Sequence, residues 1–436
     1  MKNLIRKFIP SFLLNWYHFS LAFLGAVFYR FPSKKMMVIG VTGTNGKTTV
    51  VDLVTRILEE AGYKVASLSS IKFRMDEKEW PNTLKMTMPG RFKLQKFLRQ
   101  AVNSGCQYAV LEVTSEGIKQ HRHRFIDFDV AVFTNLTPEH IEAHGSFEKY
   151  RQAKGRLFQA TKGVHIINLD DENREYFLKF PANQKWGYSL KKSQKLLEDH
   201  RLVSGTIISE RQPLIFSVDQ VEFKLNLLGK FNISNALAAI CVGLSQKVDL
   251  EISKLALEKI EVIPGRMEEV ISQPFKVFVD YAFTPNALEK VYQTLIANYK
   301  LPINKLICVL GAAGGGRDKW KRPVLGEIAG KYCQEIIVTN EDPYDENPLE
   351  IINQVASGAE NISLNQFTGA SQPEPAVLKI LDRREAIRKA LNLAQAKDIV
   401  IITGKGCEPW ISVAGGKRIP WDDREVVREE FNKLRS

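Results

Sequence analysis

Hydrophobic and polar residues follow one another in blocks that predict alternating strands and helices. From Met36 to Ser70, an apolar run, a glycine-rich loop, an amphipathic helix and a second apolar run are typical of a βαβ unit. Further apolar runs predict buried parallel strands at Tyr108–Leu111, Val130–Phe133 and Val164–Ile167. Helical spacing predicts helices at Phe92–Val102 and Phe147–Thr161. The alternation indicates a doubly wound α/β sheet.

The pattern changes after residue 200. Short alternating runs within residues 200–228 predict a small antiparallel patch that decorates the first domain. Two helices are predicted next, at Ile233–Leu244 and Ile252–Lys259.

A second α/β series begins after Pro264-Gly265, which we take as a domain boundary. Its strands are predicted at Lys276–Val279, Leu306–Leu310, Glu335–Val338 and Ile399–Ile402. The expected organisation is an N-terminal segment over residues 1–36, a central domain over 37–265 and a C-terminal domain over 266–436.

Residues 8–29 form an uncharged, apolar stretch that predicts a short helix. Ser11, Asn15 and His18 recur at helical spacing and would draw a polar stripe along one side. Basic residues flank the stretch on both sides, namely Lys2, Arg6, Lys7, Arg30, Lys34 and Lys35. Three interpretations stay open: a helix lying on a membrane surface, a helix packed on protein, and a membrane span, which the positive charges on both flanks disfavour.

Composition narrows the classes of function. The formal net charge of +12 suits an anionic membrane surface or phosphate-bearing substrates. Nucleic acid is not expected, since no basic run interleaved with aromatic residues and no helix-turn-helix or zinc-finger spacing occurs. The five cysteines are scattered, with no CxxC pair, which argues against disulfides and zinc ribbons. A reducing, ATP-containing compartment, the cytoplasm, is therefore expected.

The segment GVTGTNGKTT, residues 40–49, has the context of a phosphate-binding loop between a strand and a helix. Val41 stands where the strict pattern has its first glycine. Backbone N–H groups and the helix N-terminus would face phosphate oxygens. Lys47 would reach the terminal phosphates of ATP, and Thr48 would bind Mg²⁺.

Further candidates follow two other strands. Glu112 ends a predicted strand, where ligands of α/β sheets gather, and it offers Mg²⁺ a hard oxygen ligand. His140, His144 and Lys154 come just after another strand. By composition alone, these three would more often form a solvated helix face than a site.

Taken together, the motifs resemble those of the Mur ligases, most closely the UDP-N-acetylmuramyl-tripeptide synthetases. They occur in the order TGTNGKTT, LEVTSEGIKQHR, FTNLTPEHIEAHGSFEKYRQAKGRLF, GKFNISNALAAI, IPGRMEEV, VDYAFTPNAL, RDKWKRPVLGEIA, DRREAI, GKGCE and IPWDDREVVRE. The likeness runs from about Met37 to the C-terminus. It implies a central P-loop ATPase domain and a C-terminal Rossmann-like domain. The implied enzyme is a ligase of peptidoglycan precursor synthesis that joins an amino acid to a muramyl-peptide carboxylate through an acyl phosphate.

The resemblance also implies roles for residues of this chain. Those for ATP are Gly43, Thr44, Asn45, Gly46, Lys47, Thr48, Thr49, Asn235, Arg266 and Asp280. Two Mg²⁺ ions would be held by Thr48, Glu112, His140 and Lys154, the last as a CO₂-derived carbamate. The acceptor would meet Thr87, Thr114, Gln120 and Arg122. The amino acid would meet Arg317, Glu341, Asp342, Tyr344, Gly404 and Glu408. Catalysis is expected from Lys47, Glu112, His140 and Lys154, in a monomer.

The chain departs from the family pattern in three places. About 36 residues precede the first ATPase strand, too few for the family's UDP-gripping domain, so the acceptor is expected to be UDP-linked and held differently, or not a free UDP-sugar. Tyr344 replaces the arginine of the family's DNPR signature, while Gly316 replaces an aspartate before Arg317. Phe283 and Cys407 each stand in place of a histidine.

Tyr344 also bears on the amino acid that is added. Position 344 offers no arginine, and Glu341, Asp342, Asp345 and Glu346 lie beside it in the sequence, to which Glu408 would add if it lines the same pocket. We therefore expect a lysine-like side chain rather than meso-diaminopimelate. The sequence is compatible with three alternatives to the leading function. They are a folylpolyglutamate-synthase-like ligase, a ligase acting on a lipid-linked precursor, and an inactive nucleotide-binding scaffold at the membrane, which the intact metal-binding set disfavours.

Overall fold

Two β-sheets, flanked by helices, organise the chain. The computed structural model describes residues 10–84, 86–191, 200–299, 305–362 and 376–435. The first sheet has eleven strands in the order β11-β10-β9-β8-β7-β6-β1-β5-β2-β3-β4. These strands are β1 (Met37–Thr42), β2 (Val65–Leu68), β3 (Lys72–Met75), β4 (Lys78–Pro81), β5 (Tyr108–Glu112), β6 (Val130–Phe133), β7 (Val164–Asn168), β8 (Gln184–Ser189), β9 (His200–Ser209), β10 (Leu214–Val218) and β11 (Val221–Leu225).

Helices cover both faces of this sheet. They are α1 (Ser11–Phe28), α2 (Lys47–Glu60), α3 (Arg91–Asn103), α4 (Ser115–Lys119), α5 (Ile141–His144), α6 (Phe147–Ala160), α7 (Arg174–Leu178), α8 (Phe231–Ser245) and α9 (Leu250–Glu258). Because side chains alternate along a strand, Ile39 and Val41 pack with Val50 and Val54 of α2, while Val38 packs on the opposite face with Leu94 of α3. Each face of the sheet therefore has its own hydrophobic core.

The second sheet has six strands in the order β12-β13-β17-β14-β15-β16. Its strands are β12 (Glu268–Ile271), β13 (Lys276–Asp280), β14 (Leu306–Leu310), β15 (Glu335–Thr339), β16 (Ala376–Ile380) and β17 (Ile399–Thr403), and a separate hairpin pairs β18 (Trp410–Ser412) with β19 (Arg418–Pro420). The helices of this part are α10 (Pro285–Tyr299), α11 (Lys321–Tyr332), α12 (Pro348–Glu360), α13 (Arg383–Leu393) and α14 (Asp423–Arg435).

The predicted α/β class is confirmed, with one correction to its organisation. Strands β9 to β11 pair with one another in antiparallel fashion, as their alternation predicted. They do not form a separate patch, however, because β9 also pairs in parallel with β8 and so extends the main sheet. The division of the chain at residue 265 stays a prediction.

The helix predicted near the N-terminus packs on the protein with one face. His18, Ala22 and Ala26 are buried, and the carbonyl of Tyr29 accepts hydrogen bonds from Arg99 of α3 at 2.7 and 3.0 Å. Two residues of the polar stripe thus contact the protein: His18 is buried, and Asn15 Oδ1 lies 2.6 Å from His121 Nε2. In the part of the chain that the structure describes, no helix has the length and apolar character that crossing a bilayer requires. The flanking Lys2, Arg6 and Lys7 lie outside the described residues.

His123, just beyond α4, provides a test of how deeply this part of the chain is buried. It is 4% exposed, and burial, aided by Arg124, lowers the pKa of its imidazole from 6.5 to about 3. Above pH 6.5 the ring is neutral in both the folded and the unfolded chain. Between pH 6.5 and about 3, only the unfolded chain takes up the proton, so this residue lowers the free energy of unfolding by about 1.4 kcal/mol per pH unit.

We therefore expect the free energy of unfolding of His123→Gln to fall less steeply with decreasing pH than that of the wild type. The difference in slope should be about 1.4 kcal/mol per pH unit. Urea unfolding at pH 7, 6, 5 and 4 measures it. The difference in slope is the readout, since the substitution itself also changes stability. Parallel curves for the two proteins would show that His123 takes up its proton equally in both states.

Candidate active site

The glycine-rich loop joins β1 to α2 at the carboxyl edge of the first sheet. Gly46 has φ = 83°, and a Cβ there would lie 2.4 Å from Asn235 Oδ1. A Cβ on Gly43 would lie 1.9 Å from Thr134 Oγ1. Both positions thus exclude any larger residue, and α2 begins directly at Lys47. The N-terminus of this 14-residue helix favours an anion such as phosphate.

Residues after β6 hold this loop in place. The N–H groups of Thr44 and Asn45 donate to the backbone oxygen and the Oδ1 of Asn135, at 2.8 and 2.9 Å. The Thr44 hydroxyl lies 3.1 Å from the hydroxyl of Tyr150. Thr49, in the first turn of α2, is buried. Because β1, β5 and β6 are neighbours in the sheet, the segments that follow them converge at one edge.

Lys47, Thr48 and Glu112 form the centre of the site. Lys47 Nζ donates to the Thr44 carbonyl at 2.8 Å and lies 3.9 Å from Glu112 Oε1. Thr48 Oγ1 donates to Glu112 Oε2 at 2.9 Å. Burial lowers the pKa of Lys47, and the charge of Glu112 opposes that shift. This group can hold a phosphate with the lysine and offer Mg²⁺ two oxygen ligands.

Lys154 and His140 lie beside this centre. Lys154 Nζ donates to the Gly43 carbonyl at 2.6 Å, and burial together with the charge of Lys47 places its pKa well below the usual range. His140 has φ = 57° and starts α5. Its pKa is lowered to about 2 by burial and by the charge of Arg317, so the imidazole is neutral at cellular pH and able to bind a metal.

These donors fit Mg²⁺ only together with a phosphate ligand. Among the described residues, no group of three or more His, Cys, Asp or Glu side chains could hold a metal by itself. A magnesium ion that takes few ligands from protein and completes its shell with phosphate and water matches the chemistry of Thr48 and Glu112.

The predicted nucleotide residues come from both halves of the chain. Asn235 Oδ1 faces the loop at Gly46, as described above. Arg266 donates to Thr48 Oγ1 at 3.2 Å and stacks over Tyr281, 4.5 Å from the ring centre. Both oxygens of Asp280 accept backbone N–H groups, from Met267 at 2.7 Å and Ala282 at 2.6 Å. The predicted contact of Asp280 with a ribose would have to share these acceptors, and it stays a prediction.

The predicted acceptor residues connect with Glu112 through Ser70, which the sequence did not point to. Ser70 Oγ donates to Glu112 Oε1 at 3.1 Å and lies 2.8 Å from Thr87 Oγ1. Thr114 caps α4 by accepting the Gly117 N–H at 3.1 Å. Arg122 donates to Gln120 Oε1 at 2.7 Å and to the Met88 carbonyl. Gln120 and Arg122 therefore contact each other directly.

The residues predicted for the amino acid surround Tyr344 and Gly404. Tyr344 lies against Gly315, where a Cβ would come within 2.6 Å of its ring. A Cβ on Gly404 would lie 2.5 Å from Glu341 Oε2. Tyr281 and Tyr344 are near enough to Arg317 to affect the pKa of its guanidinium group. This places Arg317 close to Tyr344.

The acids expected to give a negative surplus around Tyr344 are engaged by other groups of the protein. Lys405 pairs with Asp342 at 3.1 Å and with Glu408, whose other oxygen accepts from Tyr281 at 2.8 Å. Glu346 pairs with Arg322 at 2.8 Å, and Asp345 accepts the Gly415 N–H at 2.9 Å. Burial raises the pKa of Glu341 to about 7. The acids therefore serve the loop's own structure.

Two departures from the family pattern now have a physical context. Lys321 Nζ lies 5.0 Å from the centre of the Phe283 ring. The aromatic face stabilises the Lys321 cation, whereas a protonated histidine at position 283 would repel it. Cys407 donates to the Pro264 carbonyl at 3.4 Å, at the connection between the two sheets. Burial raises the pKa of this thiol to about 11.

An ion pair that the sequence did not predict bridges the two halves of the chain. Lys321 and Glu139 pair at 2.8 Å, and each side chain is 2% exposed. Next to them, Asp318 accepts the N–H groups of Ile141 and Glu142 at 3.1 and 2.9 Å. These contacts, which we call the interdomain bridge, bring the start of α11 onto α5 beside His140. The only available clue was that both charges lie within motifs, TPEH and RDKWKRP.

Comparison with known proteins agrees with this geometry. The family model of the Mur ligase middle domain matches residues 41–243, and that of the Mur ligase glutamate ligase domain matches residues 265–406. A UDP-N-acetylmuramoyl-L-alanyl-D-glutamate–2,6-diaminopimelate ligase of Syntrophomonas wolfei is 37% identical over 94% of this chain and 81% of its own length. A UDP-N-acetylmuramyl-tripeptide synthetase of Roseiflexus sp. is 36% identical over 98% of this chain and 84% of its own.

Comparison with solved structures also finds a Mur ligase. One of a UDP-N-acetylmuramoyl-L-alanyl-D-glutamate–2,6-diaminopimelate ligase has a TM-score of 0.58 at 31% identity and covers 92% of this chain and 79% of its own. A Mycobacterium tuberculosis folylpolyglutamate synthase has a TM-score of 0.68 and covers 88% of this chain and 92% of its own. At 16% identity, it shares the fold alone.

Removing Lys321 tests the interdomain bridge. Taking one partner from a buried ion pair costs roughly 3–5 kcal/mol while the other charge stays buried. Glu139 escapes this cost if the two halves separate, so Lys321→Met should enlarge the radius of gyration in small-angle X-ray scattering without ligand. Lys319→Met is the matched control, since the Lys319 side chain is 59% exposed. Equal radii for all three proteins would mean that the pair does not hold the halves together.

Proposed function

This chain belongs to the Mur ligase family, and from that premise we propose that it is an ATP-dependent acid–amino-acid ligase acting on a muramyl-peptide carboxylate in peptidoglycan precursor synthesis. The observation that carries the proposal is the convergence of Lys47, Thr48 and Glu112 with Lys154 and His140 at one edge of the first sheet. A general nucleotide-binding protein would need the phosphate-binding loop but not Lys154 and His140.

The chemistry follows from the charges at this edge. The acceptor carboxylate attacks the γ-phosphorus of ATP, ADP leaves, and an acyl phosphate forms. The amine of the amino acid then attacks the acyl carbon, phosphate leaves, and the nitrogen loses a proton. Lys47 and the N-terminus of α2 stabilise the charge on the transferring phosphoryl group, and Arg266 adds a second cation from the other half of the chain. Mg²⁺ would neutralise phosphate charge from Thr48 and Glu112.

Lys154 is proposed to carry a carbamate and to contribute to a second Mg²⁺ site with His140. CO₂ reacts only with a neutral amine, and burial beside Lys47 favours the neutral form of Lys154. The product is an anion beside the cationic Lys47, where a protonated amine would be repelled. That anion would offer Mg²⁺ oxygen ligands, which an amine does not.

We also assign the incoming amino acid and the location. Arg317 would bind the α-carboxylate that all amino acids share, which leaves Tyr344 to contact the end of the side chain. The preference for a lysine-like side chain over diaminopimelate rests on Tyr344 alone, because a phenol offers a distal carboxylate no charged pair. The enzyme would act as a monomer in the cytoplasm, in peripheral contact with the inner face of the membrane through residues 8–29.

The direct test is a ligation assay with ATP, Mg²⁺ and equal lysine and diaminopimelate. A muramyl dipeptide is supplied either UDP-linked or on a polyprenyl diphosphate in vesicles, and products are identified by mass. We expect ADP, phosphate and a predominantly lysine-containing product. Lys47→Ala should lower turnover by about 10²–10³-fold with the fold intact, and exposed Lys149→Ala should not. No product from either acceptor would refute the function; a diaminopimelate product would refute the role of Tyr344.

The carbamate predicts chemical rescue. Lys154→Ala should be nearly inactive, and acetate should partly restore turnover by supplying a carboxylate in the vacated space. The matched variant is Lys154→Arg, which keeps a positive charge, cannot be carbamylated and should not respond to acetate. Intact-protein mass spectrometry with ¹³CO₂ trapping detects the modification in the wild type. Full wild-type activity in CO₂-free buffer would contradict the assignment.

A further inference from the structure

Helix α1 exposes an apolar face that the rest of the described chain leaves uncovered. Nine of its large hydrophobic residues are exposed to solvent: Phe12, Leu13, Trp16, Tyr17, Phe19, Phe23, Leu24, Val27 and Phe28. The rings of Phe19 and Phe23 lie at the edge of this face, where they also contact Phe125. Trp16 is 70% exposed and Phe28 is 71% exposed. Its buried residues are small or polar, including His18, Ala22 and Ala26. This is the reverse of a helix that meets water, and an exposed apolar patch of this kind marks an interaction surface.

The charges around this face select its occupant. The sequence contains no Asp or Glu in residues 1–51 or in residues 80–111, which include α1 and α3. Exposed cations follow α1 in the sequence, at Arg30, Lys34 and Lys35, and lie on α3, the helix on which α1 packs, at Lys93 and Lys96. A second copy of the chain would bring two such positive borders together. An anionic lipid surface instead offers acyl chains to the apolar residues and headgroups to the cations.

The same helix is fastened to the residues predicted to hold the acceptor. Asn15 contacts His121 at 2.6 Å, next to Arg122 in the sequence. Arg91 of α3 bonds to His18 on one side and to the Gln120 carbonyl, at 2.9 Å, on the other. A bilayer beneath α1 would therefore lie beside the predicted acceptor site and not at a remote part of the molecule.

A continuous series of polar contacts runs from α1 to the catalytic centre. Arg122, which bonds to Gln120, also donates to the carbonyl of Met88, the residue after Thr87. Thr87 contacts Ser70 at 2.8 Å, and Ser70 bonds to Glu112. The acceptor carboxylate would approach from the end of this series that faces α1.

We propose that the acceptor of this ligase is a muramyl peptide anchored in the bilayer by a lipid, met at the membrane surface through the apolar face of α1. This rests on the proposed function and specifies its substrate class. The lipid would stay in the bilayer, the diphosphate near the cations that border α1, and the peptide carboxylate would extend past Gln120 and Arg122 towards Lys47.

The test compares two acceptors with the same muramyl dipeptide and diphosphate. One carries a long polyprenyl chain in vesicles of three parts phosphatidylcholine to one part phosphatidylglycerol, and the other carries a short, water-soluble prenyl chain. The wild type should show kcat/KM at least about tenfold higher for the vesicle-borne acceptor. Trp16→Ser/Phe28→Ser should lose about tenfold on vesicles and change less than about twofold on the water-soluble acceptor. Leu349→Ser, at a residue 52% exposed on α12, is the matched control and should match the wild type in both.

Each other outcome has a definite meaning. A wild type that uses the water-soluble acceptor as well as the vesicle-borne one overturns the inference, and so does a double variant that loses activity equally on both or on neither. A wild type that turns over neither acceptor refutes the proposed ligase itself. Flotation with vesicles of phosphatidylcholine alone should show weaker binding than with phosphatidylglycerol present, and equal binding would overturn the assigned lipid surface.

Discussion

The site is organised around one buried carboxylate. Glu112 is 2% exposed, and such a charge is stable only when hydrogen bonds and cations compensate for the water it has lost. Thr48 and Ser70 donate to it, and Lys47 lies within ion-pair distance. These partners belong to the first turn of α2 and to the segment after β2. One side chain at the end of β5 thus aligns the phosphate loop with the residues predicted for the acceptor.

The surplus of positive charge around Glu112 has a counterpart between the two halves of the chain. Lys47 and Arg266 gather near the loop, and Lys321 enters from the second half. The chain supplies Glu139 as an anion for Lys321 and the ring of Phe283 as an uncharged support for it. The remaining cations suit a polyphosphate, because its negative charge would offset the positive charge that the protein itself leaves uncompensated.

The sequence predicted those features that depend on local pattern. The strand at Leu306–Leu310 was predicted with its observed ends, since a buried parallel strand is a continuous apolar run. Motif order likewise brought Lys47, Glu112 and Lys154 to one site. Pairs such as Glu139 with Lys321 join residues 182 positions apart, and no local pattern reports such a contact. The orientation of α1 was missed for a related reason: periodicity finds a polar stripe but does not tell which side faces the protein.

If α1 binds a membrane as proposed, its outward face would change the quantity that governs the reaction rate. An enzyme that rests on a bilayer and takes its substrate from that bilayer responds to molecules per unit area, so its apparent KM is a mole fraction in the lipid rather than a molarity. Adding empty vesicles would then slow the reaction by surface dilution, even though the bulk concentrations of enzyme, acceptor, ATP and amino acid stay unchanged. Nine exposed large hydrophobic side chains on one short helix would set the rate law as well as the location of this enzyme.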